Sequence, residues 1–142
     1  MIDRADVTAA FQAMLTVATG KPCGRGRLPL VAGHPCPTPY TVLYPMDSRY
    51  TGAPLADKAE DAHFVYQVTV VADREDQADW LADRVRRAVL DRGDSGQWVN
   101  QIEAPGTDIW ARQLLLDDGL DGAGEAGVVT AVQRYELSAS MS

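Results

Sequence analysis

His34 and Cys36, with Cys23 upstream and His63 downstream, are the side chains best suited by type to hold a metal. Structural zinc sites use tight pairs such as C-x2-C, which present two ligands from one turn. Here ten residues separate Cys23 from His34, and one separates His34 from Cys36. A single intervening residue rarely lets both side chains chelate, so these read as ordinary loop residues. His34 and His63 are also the only imidazoles available to activate a serine or cysteine, and neither lies near a G-x-S-x-G elbow. A small metal-dependent hydrolase built on His34 and His63 is therefore the alternative reading.

The carboxylates are no more specific. Asp57, Glu60 and Asp61 could pair for acid–base work, but loop carboxylates are usually solvated. Asp117, Asp118 and Asp121 resemble a fragment of a calcium loop that lacks the closing Glu and the alternating ligand spacing. Gly24, Gly26 and Gly33 are not followed by Gly-Lys-Ser/Thr, so they make no phosphate loop. Arg84 and Arg87 could line a channel or contact phosphate. Their place near the end of a helix is also explained by the negative end of its dipole. Trp80 lies at the flank of an apolar helical stripe. It reads as a core-edge residue or as a subunit-interface anchor, a role in which Trp is enriched.

The elements that must position these residues are clearer than the chemistry. Phe64, Tyr66, Val68 and Val70 alternate with Val65, Gln67, Thr69 and Val71, a period-two pattern that predicts a strand inside a sheet. Asp73 stands where an N-cap is expected, with Asp76 three residues on, which approximates a capping box. Ala78, Leu81, Val85, Ala88 and Val89 then form one apolar helical stripe, and Gly93 follows as the expected left-handed end. An earlier helix is predicted from an N-cap at Asp3, through Val7, Ala10, Phe11, Met14, Leu15 and Ala18, to Gly20.

Residues 21–38 are rich in Pro and Gly and read as extended or turn structure, with a short strand over Leu28–Ala32. Tyr40–Tyr44 is a strand that Pro45 confines to an edge or an end. Residues 46–63 read as a long polar loop, of the kind that contacts partners. Tyr50 and Leu55 in that loop join Trp80, Arg84 and Arg87 as candidate subunit-interface residues. Trp98–Ile102 is a short strand candidate. Ile109–Leu116 and Val128–Ala139 read as strands joined by a long glycine-rich loop over 117–127. The order α-β-β-α-β-β predicts a single α+β domain over 1–142, with two helices on a mostly antiparallel sheet of about four strands.

A chain of 142 residues with 13 basic and 20 acidic side chains carries a net charge of −7, and 46% of it is apolar. At that size folding buries roughly two-thirds of the unfolded surface, enough for a core without staples. The acidic balance argues against broad nucleic-acid binding, which needs a basic footprint. No apolar run approaches the ~20 residues that span a bilayer, and the first residues lack the apolar region of a secretory signal. Two cysteines are too few for a disulfide framework. A Cys23–Cys36 bridge is sterically feasible, and free thiols are the expectation for a cytoplasmic protein.

The stretch from Phe64 to Arg92 also resembles the signature of tail terminator proteins from long-tailed phages and prophages of actinobacteria. The residues that carry the likeness are Val65-Tyr66-Gln67-Val68-Thr69 and Gln77-Ala78-Asp79-Trp80-Leu81-Ala82-Asp83-Arg84-Val85-Arg86. Tyr40, Val42 to Pro45, the Gly52-Ala53-Pro54-Leu55 turn and the strand near Val132–Leu137 are similar too. Residues 20–39 and 117–127 depart from the pattern. That family is related by fold to tail-tube terminators and head–tail joining proteins. The resemblance implies a virion subunit without enzymatic residues, cofactor or metal, which forms a ring, usually a hexamer. Such a ring would cap the tail tube at its head-proximal end, end polymerisation and offer a surface to the head connector. Its partners would be further copies of itself, the major tail tube protein and the head connector or stopper. Genome DNA would pass through the lumen without specific binding. Another head–tail connector or neck component is the nearest alternative.

Overall fold

A computed structural model describes residues 2–52, 60–121 and 127–141. Helix α1 spans Arg4–Thr19. Asp3 is its N-cap, as expected, but its carboxylate makes no capping bond; its carbonyl accepts from the amides of Asp6 and Val7 instead. The predicted stripe is the buried one: Val7, Phe11, Met14 and Leu15 face the core, with Ala10 and Ala18 packed beside them. Gly20 ends the helix at φ 72°, and its N–H donates to Thr16 O at 3.1 Å. Glycine reaches this left-handed conformation without a Cβ penalty.

Helix α2 spans Glu75–Leu90 and buries Ala78, Leu81, Val85, Ala88 and Val89. Two details of its ends differ from expectation. The N-cap is Arg74 rather than Asp73, and Gln77 Oε1 accepts from the Asp73 N–H at 3.3 Å. The third helical residue thus reaches back across the first turn, as in a capping box. At the other end Gly93 is not left-handed. Asp91 is already extended at φ −65° and ψ 138°, and the chain leaves directly towards a single β-bridge between Arg92 and Trp98.

The main sheet has five strands rather than about four, in the order β1-β4-β5-β7-β6. These are β1 Cys23–Arg25, β4 Tyr40–Gly52, β5 Glu60–Ala72, β6 Thr107–Asp121 and β7 Val129–Met141. β1 runs parallel to β4 and the other pairs are antiparallel, so the sheet is mixed. A separate two-stranded ribbon joins β2 Leu30–Val31 to β3 His34–Pro35, narrower than the strand expected over Leu28–Ala32.

β1 is the added strand. Gln12 of α1 holds it, donating to Cys23 O at 2.7 Å and accepting from Arg25 Nε at 3.2 Å. Gly24 is required there: a Cβ would collide with the Arg27 carbonyl oxygen and lie 2.8 Å from Pro29 N and 3.0 Å from Leu28 C. β1 covers only Thr41–Leu43, so Pro45 lies on the uncovered flank of β4, beside a register break between Pro45 and Ser48. That is where a strand tolerates a missing donor.

Both expected long loops are in part strand. Residues 46–52 continue β4 and 60–63 begin β5, with Arg49 opposite His63 and Thr51 opposite Asp61. Their polar composition reflects solvent exposure at the far end of the hairpin; it does not reflect a lack of pairing. Asp117–Asp121 likewise belongs to β6, with Asp118 opposite Val132. Residues 53–59 and 122–126 lie outside the described residues. Trp98–Ile102 is not a strand. Trp98 makes the single bridge, while Ile102 and Ala104 are buried against the core.

The core lies between the helices and one sheet face. Phe64, Tyr66, Val68 and Val70 of β5 are fully buried, as are Tyr135, Leu137 and Ala139 of β7. Polar bonds inside it are specific. Tyr66 Oη and Thr8 Oγ1 share one at 2.8 Å; Tyr135 Oη donates to Gln133 Oε1 at 2.6 Å; Gln133 Nε2 donates to Ala82 O of α2 at 3.0 Å. Satisfied in this way, buried polar groups also fix how the helices sit on the sheet. On the other sheet face Val65, Gln67, Thr69 and Val71 are only half-buried.

Candidate interface surface

The structure distributes the metal-like residues over separate elements. Cys23 is buried in β1, where burial pushes its thiol above the usual range. Cys36 is buried after β3, with Sγ 3.2 Å from Pro37 O, and both thiols are free. His34 is exposed in the small ribbon. His63 sits in β5 of the main sheet, sharing a 2.9 Å hydrogen bond between Nδ1 and Ser138 Oγ, with its ring edge-on to Trp110. Among the described residues no three His, Cys, Asp or Glu side chains are grouped to hold a metal. Asp117 instead forms an ion pair with Arg86 at 2.7 Å. Asp57 lies outside the described residues.

The five candidate interface residues do not form one patch. Trp80, on α2, is 44% exposed at the rim between the two helices. The Arg84 guanidinium lies 4.9 Å from its ring centre and Lys21 Nζ 5.9 Å, both within cation–π range. Arg84 Nε also donates to Thr19 O at 3.2 Å, tying the last turn of α1 to the middle of α2. Arg87 is exposed and borders with Arg84 a shallow hollow of about 200 Å³, whose wall includes Asp91 and Asn100. Trp80, Arg84 and Arg87 are therefore one surface. Tyr50 is elsewhere, at the far end of β4. It is 42% exposed, and its hydroxyl donates to Ile2 O at 3.2 Å while its ring meets Phe64 edge-on. Leu55 lies outside the described residues.

A second cluster had no signal in the sequence reading. Arg112 is only 7% exposed, and its Nη1 and Nη2 donate to Val89 O at 3.0 Å and Asn100 O at 2.6 Å. Its guanidinium stacks 4.6 Å from the Trp98 ring centre, and Arg92 stacks on the same ring at 4.1 Å. Burial lowers the Arg112 pKa to about 10, and the nearby Arg92 charge acts in the same direction. Counted by alternation from Ile109, Arg112 would share the outer face with Trp110. A bulge between Ile109 and Ala111 turns it inward, and Arg112 then fastens the segment after α2 to the sheet.

The fold is thus an α+β layer pair: two helices on one face of a mixed five-stranded sheet. No family model and no curated protein matches the chain. Solved structures do. A chain in the virion of a native gene transfer agent particle aligns over 96% of this chain and 93% of its own, with a TM-score of 0.61 and 15% identity. A second solved chain, known only by a sequence identifier, aligns over 100% of this chain and 97% of its own, at a TM-score of 0.50 and 15% identity. At that identity the likeness is one of fold, and it extends over nearly the full length of both partners. No described helix is long and apolar enough to cross a membrane.

Proposed function

We propose that this chain is a structural virion protein, a single-domain subunit that assembles into a ring at the head-proximal end of a phage tail. The observation that carries this reading is the fold shared over 96% of the chain with a component of a gene transfer agent virion. The Tyr66 strand and the Trp80 helix add to it, since the residues resembling tail terminators fall on β5 and α2. The half-exposed Trp80 with two cations beside it is the kind of side chain that anchors a subunit contact.

In this reading the ring, a hexamer, caps the major tail tube protein, ends tube growth and meets the head connector. DNA passes through an acidic lumen that repels its phosphates. The protein has no enzymatic role and needs no cofactor.

Assembly is tested by light scattering and negative-stain microscopy of the purified chain, alone and with the tube protein. Rings of several subunits are expected. The Trp80→Ala variant should keep the wild-type circular dichroism spectrum and lose the high-mass species. Rings formed normally by that variant would remove Trp80 from the interface. A chain that stays monomeric with its tube protein would sink the terminator reading, and rings that bind the head connector but not the tube would move the protein to the neck.

A further inference from the structure

Leu28, Leu30 and Val31 are 41%, 57% and 51% exposed, three large apolar side chains in and beside the β2–β3 ribbon. The ribbon pairs Leu30 with Pro35 and Val31 with His34, and Ala32 and Gly33 close its tip. Both tip residues have positive φ, 53° and 81°, the geometry of a two-residue hairpin turn. Ala32 thus holds the tip in a conformation that side chains with a Cβ rarely adopt. At the base Cys36 N–H donates to Pro29 O at 2.9 Å. A two-stranded ribbon with its apolar side chains in water is marginal until something covers them.

A matching recess lies elsewhere on the chain. Ala10, Ala13, Met14 and Val17 follow one stripe of α1, and with Val99 they line a groove of about 390 Å³. Val17 is 84% exposed and Val99 58%, so the groove has an apolar rim on both walls. The ribbon leaves from another side of α1. It follows β1, which is fastened to Gln12, a residue off that stripe. Among the described residues none lines both the groove and the hollow beside the ribbon.

Charge favours the same match. No Asp or Glu occurs between Asp6 and Asp47, a stretch that holds Lys21, Arg25 and Arg27, in a chain of 20 acidic residues. Among the described residues Glu103 is the one charged side chain on the groove wall. Arg27 and Glu103 are both exposed, and neither forms an ion pair among the described residues. Opposite charges of this kind steer an encounter and fix its register.

We infer that the β2–β3 ribbon docks into the Val17–Val99 groove of the next copy of this chain. Leu30 and Val31 enter the groove, and Arg27 faces Glu103. An arm and a groove on different sides of α1 make a heterologous contact, whose repetition builds a ring when the rotation closes. The inference rests on the ring reading and names a contact that would build the ring.

Two variants test it. Leu30→Asp with Val31→Asp blocks the arm and leaves the groove free; Val17→Glu with Val99→Glu blocks the groove and leaves the arm free. All four positions are exposed, so both variants should keep the wild-type circular dichroism spectrum. Each alone should show at least a tenfold loss of ring population by sedimentation velocity, at a concentration where the wild type assembles. Mixed one to one they should form a dimer and nothing larger, because only one compatible contact remains. Should a variant unfold, Leu30→Ser or Val17→Ser replaces it and should weaken assembly. Wild-type-like rings from either blocked variant, or no dimer in the mixture, would overturn this contact and leave the ring reading standing. Arm-blocked rings that no longer cap the tube protein would overturn it too, by giving the ribbon to that partner. A wild-type chain that never assembles would overturn both readings.

Discussion

Arg112 is the side chain on which the segment between α2 and β6 depends. A buried guanidinium with no carboxylate is unfavourable unless its donors are used, and two of them are, on Val89 O and Asn100 O. Its Nε has no hydrogen-bond partner among the described residues. Replacing it with alanine removes both bonds, strands two carbonyls and leaves Trp98 with one cation in place of two. Arg112→Ala should therefore lower stability by about 3–5 kcal/mol, read from urea denaturation. A loss under about 1 kcal/mol would mean that the segment is held by its other contacts, such as the Asn100 bond to Ala88 O and the burial of Ile102 and Ala104. Tyr66 makes a pH-dependent contribution. Burial raises its phenol from 10.0 to about 12, with the Thr8 hydrogen bond and nearby Arg4 pulling the other way. Below pH 10 the phenol is protonated folded and unfolded, and its contribution is complete. Above that the unfolded chain loses the proton first, so stability falls by about 2–3 kcal/mol between about pH 10 and 12. Tyr135 shifts in the same direction through burial and adds to the fall. Tyr66→Phe should flatten the alkaline slope; an unchanged slope would assign it to other groups. At this scale Phe64, Tyr66, Val68 and Val70 were legible as core because alternation is a local property. Trp80 was legible only as a flanking residue, since its exposure depends on where α1 ends.

Among the elements, α1 and α2 were readable almost to their ends, because a 3.6-residue stripe needs no knowledge of what it packs against. The caps were less readable. Asp73 and Gln77 both offer side-chain acceptors near the same turn, and the geometry uses Gln77. The strands were read by their apolar middles and so came out short. The polar ends 46–52 and 117–121 pair as well as the middles do, but they carry no burial signal. β1 was missed because three residues between Pro22 and Gly26 have no periodicity; its existence depends on Gln12 and on the free flank of β4. Gly24→Ala tests that account. The added methyl would press on the Arg27, Leu28 and Pro29 backbone, which cannot swing away as a flexible side chain can. Destabilisation of about 1–3 kcal/mol is expected, with faster hydrogen exchange at the Thr41 and Gly26 amides that bracket the pairing. Unchanged exchange would show that β1 is not held by this close approach.

For the whole molecule, the proposed function lies in surfaces. The candidate chemistry is dispersed: His34 and His63 sit in different sheets, the two thiols are buried and free, and among the described residues no three His, Cys, Asp or Glu side chains are grouped to hold a metal. What the fold does concentrate is a basic aromatic rim, with Lys21 and Arg84 against the Trp80 ring, which is why the decisive experiments concern mass and stoichiometry. The sequence by itself determined the two helices, the inward face of β5, the α+β class and the acidic charge, all of which follow from composition or from periodicity within one segment. Only the tertiary structure decided the fifth strand, the inward turn of Arg112 and the place of Trp80 at the helix rim. Each of these depends on which segment lies opposite and in what register. Such pairings join residues far apart in the chain, where local pattern carries no information.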